Sequence, residues 1–190
     1  MSRIQLWNGD ICELEVDAIV NPANPTLWMS TGVSQALKAK AGDAVELAAV
    51  RHGPLSVGNA VVTGAGNLAA RIVIHAVSID RDRRTSGEAI ERAVRAVFAR
   101  AREHDVTSLA LPALGTGVGS FPMEEAARVA VDTVRDELRR SPGIGSVTFA
   151  LRGADAYAAF GRALSTPVAI DVVAETRPPV AIPIAREVPA

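Results

Sequence analysis

The stretch Ser108-Leu109-Ala110-Leu111-Pro112-Ala113-Leu114-Gly115-Thr116-Gly117-Val118-Gly119-Ser120-Phe121-Pro122 decides the fold. It reads as a buried strand, a glycine-rich loop and the start of a helix. Glycines at 115, 117 and 119 let the backbone turn tightly with no side chain in the way. Such a loop can aim several N–H groups at one anion, and a helix N-terminus behind it adds partial positive charge. The loop holds no Lys or Arg, so an anion bound here is held by backbone donors.

The same strand-to-helix alternation extends in both directions. Short β-branched runs predict strands at about Arg3–Trp7, Ala18–Asn21, Ala60–Thr63, Ile72–Val77, Ser108–Pro112 and Ser146–Leu151. Helical patterns lie between them at Val33–Lys40, Asp43–Arg51, Ser86–His104 and Ala154–Leu164, with one more beginning at Pro122. Thr85-x-x-Glu88 has the form of a capping box, and Pro122 suits a first helical turn. The alternation implies an α/β fold with a largely parallel sheet covered on both faces. Ligands of such sheets bind beyond the carboxyl ends of the strands. Residues 1–165 are expected to form one domain. Residues 166–190 form a Pro/Val-rich C-terminal tail, with prolines at 167, 178, 179, 183 and 189.

Composition narrows the function classes. With 48% apolar and 22% charged residues, the chain has the make-up of a soluble globular protein. A net charge of −1 argues against broad electrostatic attraction to nucleic acid or an anionic membrane. Cys12 is the only cysteine, which excludes an internal disulfide framework and suits a cytoplasmic location. No apolar run approaches a membrane span, and the N-terminus lacks a signal-peptide pattern. No cluster has metal-ligand spacing, and no cofactor is expected. Cys12 reads as a small buried hydrophobe, His75 as a hydrogen-bonded core histidine, and Arg81-Asp82-Arg83-Arg84 as a solvated loop.

A second strand-loop-helix corner runs from Ile19 through Asn21-Pro22-Ala23-Asn24-Pro25 to Gly32-Val33. Parallel strands would bring it to the same rim as the first, where the two loops could clamp a diphosphate or serve only as chain reversals. Asn24 can hold a ribose hydroxyl pair or form an Asx-turn. Asp10 can accept from the exocyclic amine of a base or cap a turn.

Together these blocks resemble a macro domain, the ADP-ribose-binding module. The resemblance covers roughly Ile4 to Leu164. It rests on Gly9-Asp10-Ile11, Val16-Asp17-Ala18-Ile19-Val20-Asn21-Pro22-Ala23-Asn24, Gly32-Val33, Ile74-His75-Ala76 and Leu111 to Pro122. It implies a three-layer α/β/α sandwich around a mixed, largely parallel sheet. It also implies that Asp10 accepts from the adenine amino group, with the Ile11 backbone at the same ring. Asn24 would contact the distal ribose, and the backbone at Gly32 and Val33 would approach that ribose and the diphosphate. Gly115, Thr116, Gly117, Val118 and Gly119 would wrap the diphosphate. Arg152 stands where an aromatic often stacks on adenine, and a guanidinium can stack on a base.

The sequence departs from the family at four points. Ser30 and Thr31 replace two of three consecutive glycines. Ser34 stands where MacroD-type hydrolases carry an Asp that positions the catalytic water. Gly119 replaces a bulky aromatic, and Arg152 the stacking ring. The implied function is recognition of free or protein-linked ADP-ribose. The alternative is a hydrolase acting on ADP-ribose derivatives: de-ADP-ribosylation, O-acetyl-ADP-ribose deacetylation or removal of a 1″-phosphate. In that case Asn24 is the main catalytic candidate. The expected partner is ADP-ribose or an ADP-ribosylated protein.

Overall fold

The computed structural model describes residues 3–166. The Pro/Val-rich tail called from the sequence lies almost wholly outside them. Strands β1 (Ile4–Asn8), β2 (Val16–Ala23), β3 (Ala60–Gly64), β4 (Ala70–Val77), β5 (Ser108–Leu111) and β6 (Ser146–Leu151) form one sheet in the order β1-β6-β5-β2-β4-β3. All pairings are parallel except β3 with β4, so the sheet is mixed, with one antiparallel edge strand. The helices are α1 (Gly32–Ala41), α2 (Asp43–Val50), α3 (Gly87–Glu103), α4 (Met123–Arg140) and α5 (Ala154–Ser165). A single 3-10 turn, Ile11–Glu13, follows β1.

Alternation along the strands builds the three layers. Ala18 and Val20 of β2, with Leu109 and Leu111 of β5, pack against α3, α4 and α5. Ile19 and Ala110 point to the opposite face, against Leu37 and Ala41 of α1 and Val45 of α2. Burial on both faces explains why β2 and β5 read as unbroken apolar runs. Phe149 of β6 and Phe160 of α5 meet with ring centroids 4.8 Å apart.

Two local expectations shift. The N-cap of α3 is Ser86, whose hydroxyl accepts from the Ala89 N–H at 3.1 Å; the Thr85 hydroxyl instead donates to the Ser78 carbonyl at 2.5 Å. Pro122 sits at the N-cap of α4 with ψ 127°, so the helix begins at Met123.

His75 is fully buried in the sheet, as expected of a core histidine. Thr63 Oγ1 donates to the Gly64 carbonyl and therefore accepts from His75 Nε2–H at 2.9 Å. Asn21 Nδ2 donates to Nδ1 at 3.0 Å, so the ring is neutral. Burial, with a smaller contribution from His52, pushes its pKa down to about 4. Unfolded, the ring titrates near 6.5, so the unfolded chain binds the extra proton between these values. Stability from this residue is present above about pH 6.5 and is lost as pH falls toward 4. Urea unfolding at pH 7 and pH 5 should differ by about 2 kcal/mol on this account. The difference should largely vanish in His75→Gln.

Candidate functional site

The carboxyl ends of β1, β6, β5, β2 and β4 share one rim, and the loops leaving them enclose a cleft of about 260 Å3. All eleven residues singled out from the sequence line it: Asp10, Ile11, Asn24, Gly32, Val33, Gly115, Thr116, Gly117, Val118, Gly119 and Arg152. The only charged residues among the lining are Asp10 and Arg152.

At the β1–β6 end, Asp10 takes the turn-capping role considered for it. Its Oδ1 accepts from the Cys12 N–H at 3.0 Å and caps the 3-10 turn. Its Oδ2 faces Arg152 Nη2 at 3.3 Å and, from α1, Lys40 Nζ at 3.8 Å. The Cys12 bond, then the two cations, hold the carboxyl below its ordinary pKa, so it is ionised at neutral pH. Burial and the neighbouring Asp10 carboxylate push the Cys12 thiol up to about 12, which leaves it an inert apolar side chain.

The glycine loop leaves β5 in the middle of the rim. Gly115 has φ +80°, and a side chain there would meet Ile90 Cδ1 at 2.8 Å. Of the three loop glycines only Gly115 adopts the left-handed region. A Cβ at Gly119 would lie 2.7 Å from the Gly115 carbonyl oxygen and close to Ile79 and Thr85, which leaves no room for a larger residue in this loop conformation. Ser120 N–H donates to the Gly117 carbonyl and Phe121 N–H to the Gly115 carbonyl. The N–H groups of Thr116, Gly117, Val118 and Gly119 have no partner among the described residues. Four consecutive free donors therefore border the cleft.

Ser120 itself adopts φ +49°, which costs a side-chain-bearing residue about 1 kcal/mol. Ser120→Gly removes that strain and should raise the unfolding free energy by about 0.5 kcal/mol after the added flexibility of the unfolded chain is subtracted. Chemical denaturation checks it.

Across the cleft, Thr31 is the N-cap of α1 but its side chain makes no capping bond, so the first N–H groups of the helix stay open. Gly32 has φ +56°. Thr31 lines the cleft, whereas Ser30 faces a separate surface depression beside Lys38 and Asp43. Ser34 lines the cleft and is buried. The Asn24 side chain forms an Asx-turn: Oδ1 accepts from Thr26 N–H at 2.9 Å and Thr26 Oγ1 at 2.7 Å, and Nδ2 donates to the Trp28 carbonyl at 3.1 Å. One amide hydrogen of Asn24 remains free for a ligand.

Sequence reasoning missed Trp28, Ser78, Ile79, Met123 and Ala156, which complete the walls. Ser78 and Ile79 follow β4, and their place on the rim was legible once β4 ran parallel to β2. Trp28 carried no such signal.

A model of the macro domain family matches residues 20–130. The chain belongs to the macro domain family. An uncharacterized protein of Mycobacterium bovis is 40% identical over 165 residues, which are 86% of this chain and 45% of that protein. The chain thus spans less than half the length of this relative. The O-acetyl-ADP-ribose deacetylase of Salmonella gallinarum is 41% identical over 145 residues, covering 73% of this macro domain chain and 81% of the enzyme. Among solved structures, the macrodomain of Oceanobacillus iheyensis with ADP superposes with a TM-score of 0.76 at 25% identity, covering 84% of this chain and 88% of that one.

No helix among the described residues is long and apolar enough to cross a membrane. None of their His, Cys, Asp and Glu side chains gather in groups of three that could hold a metal ion.

Proposed function

We propose that this macro domain binds ADP-ribose, free or attached to a protein, in the cleft above the sheet. The observation that carries this reading is the row of four unpartnered N–H groups at residues 116–119, in a loop that lines the same cleft as the uncapped N-terminus of α1. Both segments line one space whose lining holds no Lys, which suits a diphosphate bound by backbone donors. The ADP-bound macrodomain relative and the deacetylase relative both point to the same ligand class.

In this reading Asp10 accepts the adenine amino group through Oδ2, beside the Ile11 backbone. Arg152 leaves its pairing with Asp10 to stack on the base. Residues 115–119 wrap the diphosphate, and Asn24, Gly32 and Val33 meet the distal ribose. The domain boundary falls near residue 165, where α5 ends. A cytoplasmic location fits the lone buried Cys12.

Calorimetry tests the ligand. A bond to an ionised acceptor contributes about 1.5–3 kcal/mol, so Asp10→Ala should weaken ADP-ribose binding by about 10- to 100-fold. The Ala variant loses only the cap of a three-residue turn, so its circular dichroism should stay native. Unchanged affinity in a folded variant would remove Asp10 from the site.

The 41% identity to an O-acetyl-ADP-ribose deacetylase favours a second reading, hydrolysis of ADP-ribose derivatives. Both charged lining residues sit at the base end, so a hydrolytic water near the distal ribose would be oriented by Asn24 and by the substrate's own diphosphate. Turnover of O-acetyl-ADP-ribose, ADP-ribose 1″-phosphate or ADP-ribosylated protein, lost in Asn24→Ala, would establish the hydrolase. No turnover at saturating ligand leaves recognition alone.

A further inference from the structure

The run Arg81-Asp82-Arg83-Arg84, read from the sequence as a solvated loop, is exposed at all four residues. It leaves the carboxyl end of β4 just after Ser78 and Ile79, which line the cleft. Its backbone is clasped. Asp80 N–H donates to the Arg84 carbonyl at 2.8 Å, Arg83 N–H to the Asp80 carbonyl at 3.1 Å, and Arg84 N–H to Asp80 Oδ1 at 2.8 Å. Arg83 takes φ +63° inside this clasp. The loop is also seated on the glycine loop. A Cβ at Gly119 would lie 3.0 Å from both Ile79 Cγ2 and Thr85 Cγ2, the residues that flank it on either side.

The clasp presents unbalanced charge. Arg84 pairs with Asp82 at 3.0 Å. Arg81 and Arg83 have no ion pair or side-chain hydrogen bond among the described residues. Neither guanidinium serves the fold, and neither belongs to the cleft lining. Strand order gives them a place relative to the ligand. Along the rim the strands run β1, β6, β5, β2, β4. In the reading above, adenine lies at β1 and β6, the diphosphate at β5 and the distal ribose at β2. The β4 loop is next, about 5 Å further on. A group attached to the distal ribose therefore leaves the cleft toward Arg81 and Arg83. Two guanidinium groups attract carboxylates or phosphates alike. A nucleic-acid strand calls for a continued row of cations, whereas Asp82 interrupts this one and the chain carries a net charge of −1. A short acidic segment needs no more than the two.

We propose that Arg81 and Arg83 dock the acceptor of protein-linked ADP-ribose, and that the acceptor is a peptide segment with carboxylates beside the modified residue. This rests on the ADP-ribose reading above, with the distal ribose at Asn24. The two arginines select among modified proteins and leave the cleft itself unchanged.

Calorimetry with four ligands tests it: free ADP-ribose, and ADP-ribose joined through a hydrolysis-resistant linkage to an Asp/Glu-flanked peptide, to the same peptide with Ser/Gln flanks, and to a short single-stranded oligonucleotide. At low salt the acidic conjugate should bind about 3- to 10-fold tighter than the neutral one, and the gap should close at high salt. Joint Arg81→Gln and Arg83→Gln substitution should abolish the gap and keep free ADP-ribose within about 2-fold. Joint Arg81→Glu and Arg83→Glu substitution should make the acidic conjugate the weaker of the two peptides. Equal affinity for the two peptides in the unsubstituted protein, with free ADP-ribose still bound, would overturn the proposal and leave the ADP-ribose reading standing. A preference that survives the Gln substitutions would also overturn it, as would an arginine-dependent gain confined to the oligonucleotide. If none of the four ligands binds, the ADP-ribose reading itself fails.

Discussion

Gly117→Val is expected to weaken ADP-ribose binding by more than about 100-fold while the melting temperature stays within about 1 °C, because it fills the ligand's place and nothing else. Gly117 lies outside the left-handed region, so a β-branched residue fits its backbone. A Cβ there would have no heavy atom within 4 Å, and the residue borders the cleft among the four free N–H groups. The valine methyl groups would occupy the space next to those donors and hold any anion beyond hydrogen-bond reach. Gly115 supplies the contrast within the same loop. Its φ of +80° and its contact with Ile90 make Gly115→Ala a folding defect first. Parallel calorimetry and thermal melts separate the two. Full affinity in Gly117→Val would mean that the loop does not hold the ligand.

The second large effect is on stability. Gly66→Ala should lower the unfolding free energy by about 3–5 kcal/mol, from left-handed backbone strain plus overpacking. Gly66 sits in the β3–β4 turn with φ +59°, and a Cβ would fall on the carbonyl oxygen of Ala41, with Val45 Cγ2 3.0 Å away. That carbonyl already accepts from Asn67 N–H at 3.1 Å, which fastens the turn to the end of α1. Neither partner can yield cheaply, because one is helix-end backbone and the other is packed in the core. The turn must move away, and with it the C-terminal support of the helix whose other end borders the cleft. Urea denaturation measures the loss. A change under about 1 kcal/mol would mean that the turn does not dock on α1 as described.

The strands were legible because burial on both faces turns them into continuous β-branched runs: β4 and β6 read directly, and each strand end shifted by no more than a few residues. Caps were harder. Thr85 and Ser86 are both good capping residues, and a tertiary bond from Thr85 to Ser78 decides between them. The two loops of the cleft were legible because parallel strands bring their carboxyl ends to one rim, whereas Ile11, Gly32, Val33 and Arg152 were named only through the family resemblance. Side-chain pairings were not legible. Arg152 meets Asp10 only because β6 lies beside β1, and no local pattern encodes that neighbour. Asn24 shows that a turn-forming role and a place on the cleft coexist in one side chain. Trp28 carried no sequence signal: Leu27 and Met29 on either side of it are buried, and Trp28 stays exposed on the cleft wall.

The central claim is that backbone N–H groups of the glycine loop and of the α1 N-terminus hold the diphosphate of ADP-ribose. Nitrogen-15 amide spectra recorded during an ADP-ribose titration report on those groups directly. Saturating shifts at Thr116, Gly117, Val118, Gly119, Gly32 and Val33, with much smaller shifts at 116–119 when adenosine replaces ADP-ribose, are the expected result. Saturation with ADP-ribose that leaves residues 116–119 unmoved would contradict it.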